Sequence, residues 1–145
     1  NMAGRQEIYE KNGFTIISDC YNAGPESMAA ALKVLGRQKG QKIAVLGDML
    51  ELGAQTEALH RATGERAAGA LDVLVTGGEL GAHIAKGAKE QGGCEVYAYT
   101  GEQAKAQAAE KLCALLGEGD ALLLKASRGV RLEEVYNTVK QHLSE

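Results

Sequence analysis

The chain has 145 residues, 45% apolar but only 4% aromatic, with 19 glycines, no Trp and a formal charge of −3. A chain of this size can bury one good core, and here it must be built from Leu, Val, Ile and Ala. The mild charge and scarce aromatics exclude a nucleic-acid surface, and apolar runs of strand length, far below the ~20 residues of a membrane helix, exclude a membrane span.

In chain order, EIYEKNGFTIISDC (residues 7–20) reads as two short strands around Asn12-Gly13, a strong hairpin signal. Pro25 suits the first turn of a helix, where its missing N–H costs nothing, and Gly24 and Asn22 precede it where capping groups belong. Met28, Ala31, Leu32 and Leu35 share one face of that helix, and Gly36 stops it. KIAVLGD is a strand buried on both faces, followed by a loop, MLELGAQ. Leu59, Ala62, Arg66 and Ala70 set the inner face of the next helix, with Glu57, Arg61 and Glu65 outside. LDVLVTGG is a strand and a glycine turn; Leu80, Ile84 and Ala88 mark a third helix, and CEVYAY alternates as a strand. Ala104, Ala108, Leu112 and Leu115 form a helix ended by Gly117, DALLLKAS is another buried strand, and Leu132, Val135, Tyr136, Val139 and Leu143 close the chain with an amphipathic helix. A hairpin followed by strict helix–strand alternation predicts one α/β domain over residues 1–145, with a doubly wound, mostly parallel sheet and right-handed crossovers.

No secretory leader pattern opens the chain, and the residue before Met2 points to a piece of something longer. Cys20, Cys94 and Cys113 are odd in number and widely spaced, which suits free thiols in a reducing cytoplasm. His60, His83 and His142 are scattered, with no zinc-ligand spacing, so no metal site is expected from them.

In a doubly wound sheet the working edge lies at the carboxyl ends of the strands. Residues 19–24, 47–52, 76–79 and 125–131 are therefore the candidates. Asp19 can accept hydrogen bonds from a ribose diol, and Asn22 offers both a donor and an acceptor to an adenine edge or an amide. The helix after Pro25 turns its positive end toward them. Lys125, Ser127, Arg128 and Arg131 cluster an ammonium, a hydroxyl and guanidiniums, which favours a carboxylate or phosphate. Asp48, Met49, Glu51 and Leu52 form a loop that either touches substrate or tucks its apolar residues onto the following helix. TGGEL resembles a phosphate-cradling turn only weakly. No P-loop, nucleophile elbow or complete catalytic set is present. Asp48, Thr76 and Lys125 also mimic a phosphoacceptor signalling module, although the extra strand and the lack of Pro after Lys125 speak against one. A stand-alone nucleotide-binding domain is a further alternative.

DCYNAGPESMAAAL, KIAVLGDMLELG, ALH and LLLKASRGVRLE, in that order and spacing, closely resemble the C-terminal domain of the muramyl ligases. The resemblance runs over nearly the whole chain and is strongest to the branch that adds D-alanyl-D-alanine to UDP-N-acetylmuramoyl-tripeptide. It implies a Rossmann-like third domain, inactive alone, that closes over an N-terminal domain holding the UDP-sugar and a central domain carrying the P-loop. ATP and Mg2+ would be bound mainly by that central domain, in a bacterial cytoplasmic enzyme of peptidoglycan synthesis. By the same resemblance Asp19 would hold the ATP ribose, and Tyr21 and Asn22 would line the cleft beside the nucleotide. Lys125, Ser127 and Arg128 would orient its phosphates or the carboxylate end of the dipeptide, and residues 48–52 would form a cleft-facing loop. Gly24 departs from the Asn that many family members carry there.

Overall fold

The computed structural model describes residues 7–11, 14–19, 23–127 and 130–143. The strands are β1 (Glu7–Lys11), β2 (Phe14–Asp19), β3 (Lys42–Gly47), β4 (Val73–Gly77), β5 (Glu95–Tyr99) and β6 (Ala121–Lys125). Between and after them run α1 (Pro25–Gly36), α2 (Thr56–Ala68), α3 (Gly81–Gln91), α4 (Ala104–Leu115) and α5 (Glu133–Leu143). The order is the one expected, with a short 3-10 turn, Gly53–Gln55, added before α2. β1 and β2 pair antiparallel with Lys11 opposite Phe14; the Asn12-Gly13 turn itself lies outside the described residues.

The sheet order is β1-β2-β6-β3-β4-β5, and every pair from β2 onward is parallel. The connections β2–α1–β3, β3–α2–β4 and β4–α3–β5 all step toward the β5 edge. The connection through α4 steps back three places to insert β6 between β2 and β3. With right-handed crossovers, a reversal of direction sends the helices to the opposite face. Accordingly, α1, α2 and α3 bury Met28, Leu32, Leu35, Ala67 and Ile84 against Ile17, Ala44, Leu46, Leu74 and Leu123. On the other face α4 and α5 bury Leu112, Val135 and Val139 against Ile16, Ile43, Val45, Val75, Leu122 and Leu124. Successive residues of each central strand thus serve opposite cores, which is why those strands read as unbroken apolar runs.

Helix α1 starts as expected at Pro25 with Gly24 as N-cap. With no side chain on Gly24, the cap is supplied from inside the helix, where Ser27 Oγ accepts the Gly24 N–H at 3.0 Å.

Helix α2 corrects the sequence reading. Its buried face is His60, Thr63, Gly64, Ala67 and Ala68, one position round from the expected one, and Ala62 and Arg66 are exposed. The reason is a close approach to α3. A Cβ on Gly64 would lie 1.8 Å from the Ile84 carbonyl oxygen, and one on Gly87 would lie 2.1 Å from that of Arg61. The two backbones touch through reciprocal glycines, so the seam carries no apolar stripe to read. Arg61 and Glu90 form an ion pair across its exposed side.

Candidate functional site

The reversal of connection direction singles out the carboxyl end of β6. The chain leaving β2 and β3 turns to one face of the sheet, whereas the chain leaving β6 turns to the other. Ligands of open α/β sheets bind in the crevice that such a divergence opens. The described residues of the stretches after β2, β3 and β6 approach one another there through Ala23, Asp48, Leu50 and Ser127.

Asp19 is the last residue of β2 and lies in register with Lys125, the last residue of β6. On its other side Lys125 is in register with Leu46 of β3. Lys125 is completely buried and has interaction partners within the fold. Strand alternation puts it on the α1–α3 side, with Ala121 and Leu123. A fully buried ammonium must be paired or hydrogen-bonded, which fits the partners Lys125 has within the fold. Tyr21, Asn22 and Arg128 lie outside the described residues.

Ser127 ties the three loops together. Its N–H donates to the Asp48 carbonyl at 3.0 Å. Its Oγ accepts the Leu50 N–H at 2.8 Å and faces the Ala23 carbonyl at 3.5 Å. Gly47 permits this approach, because a Cβ there would sit 2.9 Å from that of Ala126.

The loop after β3 splits into residues of different kinds. The Asp48 carboxylate accepts the Gly81 N–H at 2.7 Å, at the start of α3. It thus lies on the positive end of that helix rather than free in the crevice. Of the two readings offered for this loop, Met49 follows the one that tucks its apolar residues inward: its side chain is completely buried in the α1–α3 core. Leu52 is half-buried against the same core. Glu51 is exposed and held in the left-handed region at φ 63°, a conformation costing a non-glycine residue about 1 kcal/mol. Leu50, which the sequence reading did not single out, is the exposed large hydrophobic of the described residues, at 40%.

His60 was also missed as a functional candidate. It is completely buried on α2, its Nε2 accepting the Met49 N–H at 2.9 Å and its Nδ1 lying 2.6 Å from the Thr56 carbonyl oxygen. A histidine four residues after a helix start, behind a loop at the working edge, was the available signal.

Among the described residues no three His, Cys, Asp or Glu side chains gather as a metal site, and no helix is long and apolar enough to cross a membrane. Cavities of about 230 Å³, lined by Gly36, Lys42 and Asp72, and of about 160 Å³, between α4 and α5, lie away from the crevice. Neither collects the hydroxyl, ammonium and helix N-terminus that converge at β6.

Residues 4–128 match the family model described as Mur ligase, glutamate ligase domain. The chain belongs to the Mur ligase family. This Mur ligase domain is 41% identical over 132 residues to the UDP-N-acetylmuramoyl-tripeptide--D-alanyl-D-alanine ligase of Bacillus subtilis, a match covering 88% of the chain and 28% of that enzyme. Its fold superposes on the MurF ligase from Thermotoga maritima in complex with ADP with a TM-score of 0.80, at 30% identity, covering 99% of the chain and 32% of the MurF chain. A MurF from Acinetobacter baumannii gives 0.85 at 30% identity, covering 96% of the Mur ligase domain and 31% of its own chain. The domain therefore spans less than a third of the relatives it matches. The phosphoacceptor alternative finds no support in these relatives, and the Asp48 carboxylate, held by the Gly81 N–H, is not poised as that reading requires.

Proposed function

We propose that the chain is the C-terminal closing domain of a longer ATP-dependent ligase that joins D-alanyl-D-alanine to UDP-N-acetylmuramoyl-tripeptide. The observation that carries this reading is the convergence of the β2, β3 and β6 loops on one open crevice, in a chain whose relatives bear that ligase's name. ATP with Mg2+, held mainly by a central domain, would supply the phosphoryl group that turns the tripeptide carboxylate into an acyl phosphate open to attack by the dipeptide amine.

This chain's own share is binding and orientation. Asp19 accepts hydrogen bonds from the ribose, and Tyr21 and Asn22 wall the cleft beside the nucleotide. Ser127 and Arg128 hold anionic oxygens, those of the nucleotide phosphates or of the dipeptide carboxylate, and the buried Lys125 adds positive charge behind them. The first turn of α1 adds N–H groups that have no partner within the helix. Asp48, Glu51 and Leu52 belong to the loop that meets the other domains, with Met49 as its anchor in the core. Closure brings both walls together and excludes water from the reacting acyl group.

The test is a ligation assay supplied with ATP, Mg2+, the UDP-linked tripeptide and D-alanyl-D-alanine, read as ADP and amide product. The longer protein carrying this domain forms product only when the dipeptide is present, and the 145-residue chain alone forms none. Product from the chain alone refutes the closing-domain assignment. Activity of the longer protein that ignores the dipeptide refutes the substrate assignment.

A further inference from the structure

Behind the crevice lies a histidine with no part in the binding roles above. A backbone N–H can only donate, so the Met49 N–H at 2.9 Å requires that His60 Nε2 carry no proton. The single ring proton then sits on Nδ1, directed at the Thr56 carbonyl oxygen 2.6 Å away. The ring clamps the start of α2 to the Met49 peptide. The next N–H along, that of Leu50, donates to Ser127 Oγ at 2.8 Å. With one lone pair of Ser127 occupied in this way, its own proton remains to be donated. The protein acceptor facing it, the Ala23 carbonyl, is 3.5 Å away, a long contact that an anionic oxygen can displace.

We infer that His60 is a positioning residue, which fixes the Met49–Leu50 backbone so that Ser127 stands as a hydroxyl donor to a carboxylate or phosphate oxygen in the crevice. The identity of that anion rests on the proposed ligase function; the anchoring itself does not. A histidine that merely filled space would be replaceable by any side chain of similar volume. A positioning histidine is replaceable only by one that restores an acceptor where Nε2 stands. Gln reaches that point with its amide oxygen, whereas Asn reaches only the Nδ1 position.

Two measurements decide it. Long-range ¹H–¹⁵N NMR of the unmutated chain reports the His60 tautomer, which is expected to be Nδ1–H; an Nε2–H signal overturns the inference without any variant. In the longer ligase, KM for ATP and for the dipeptide are measured separately in S127A, H60Q, H60N and H60M, each checked for a folded melting transition. H60N and H60M raise the same KM that S127A raises, by about tenfold, while H60Q stays within about threefold of the unmutated enzyme. The H60N/S127A double variant is no worse than S127A, because both act through one hydroxyl. H60Q grouping with H60N, or additive effects in the double variant, overturns the inference. Absence of ligation in the unmutated longer protein overturns the functional reading instead, and the tautomer then decides the anchor on its own.

Discussion

Replacing Gly64 by Ala tests the α2–α3 seam directly. The added Cβ would lie 1.8 Å from Ile84 O, 2.8 Å from Ile84 C and 2.9 Å from Ala88 N, all backbone atoms that cannot rotate away. Relief requires the helices to part by roughly 1 Å, and a gap of that size forfeits up to about half of each dispersion contact across the seam. Overpacking of this kind costs about 3 kcal/mol, and the better helix propensity of Ala returns about 1 kcal/mol. The net expectation is a loss of about 2 kcal/mol, or a fall in Tm of roughly 7 °C for a chain of this length. Urea unfolding followed by circular dichroism measures it. Gly69 is the control: it caps α2 at φ −84°, and a Cβ there meets nothing nearer than 3.7 Å, so G69A is neutral or gains about 0.5 kcal/mol. A G64A midpoint equal to that of G69A or of the unmutated chain would refute a backbone-to-backbone seam.

Thr76 Oγ1 is the buried side-chain atom without a hydrogen-bond partner among the described residues, so T76V, which keeps the shape, is expected to stabilise the chain by about 1 kcal/mol in the same urea assay. D48A removes the carboxylate from the start of α3 and should cost about 1 kcal/mol, with faster amide exchange at Gly81 as its local signature. The Tyr97 phenol is pushed above its ordinary value, first by its hydrogen bond to the Glu95 carboxylate and then by that group's charge. Its contribution to stability is therefore present at neutral pH and lost as pH rises through the phenol's raised titration range. E95Q should lower that range, and tyrosine-resolved NMR titrations of the two proteins would show no difference if the Glu95 carboxylate did not act on the phenol.

The legibility of the molecule follows from where its information is local. β3, β4 and β6 could be read because burial on both faces leaves an unbroken apolar run, and α1 because Pro25 and a Met28–Leu35 stripe mark its start and inner face. The α2 face could not, since it is selected by contact with α3 and built from His60, Thr63, Gly64 and Ala67, which carry little hydrophobic signal. The placement of Lys125 and Ser127 at the carboxyl end of β6 was legible because position at a strand end is a property of the chain itself. That Met49 turns inward was one of two readings the sequence left open, and the outward turn of Leu50 was not legible. An irregular loop has no period to say which of two neighbouring apolar residues faces in, and the deciding bonds come from His60 and Ser127, 11 and 77 residues away.

The hydrogen bonds around residues 48–50 also bear on what happens when a ligand arrives. Ordering a loop on binding costs conformational entropy, and that cost weakens every encounter. Here the Asp48 carbonyl, the Met49 N–H and the Leu50 N–H are already engaged by Ser127 and His60. The ordering cost of this segment is thus met once, when the chain folds. In the domain closure proposed above, this stretch would arrive already in shape.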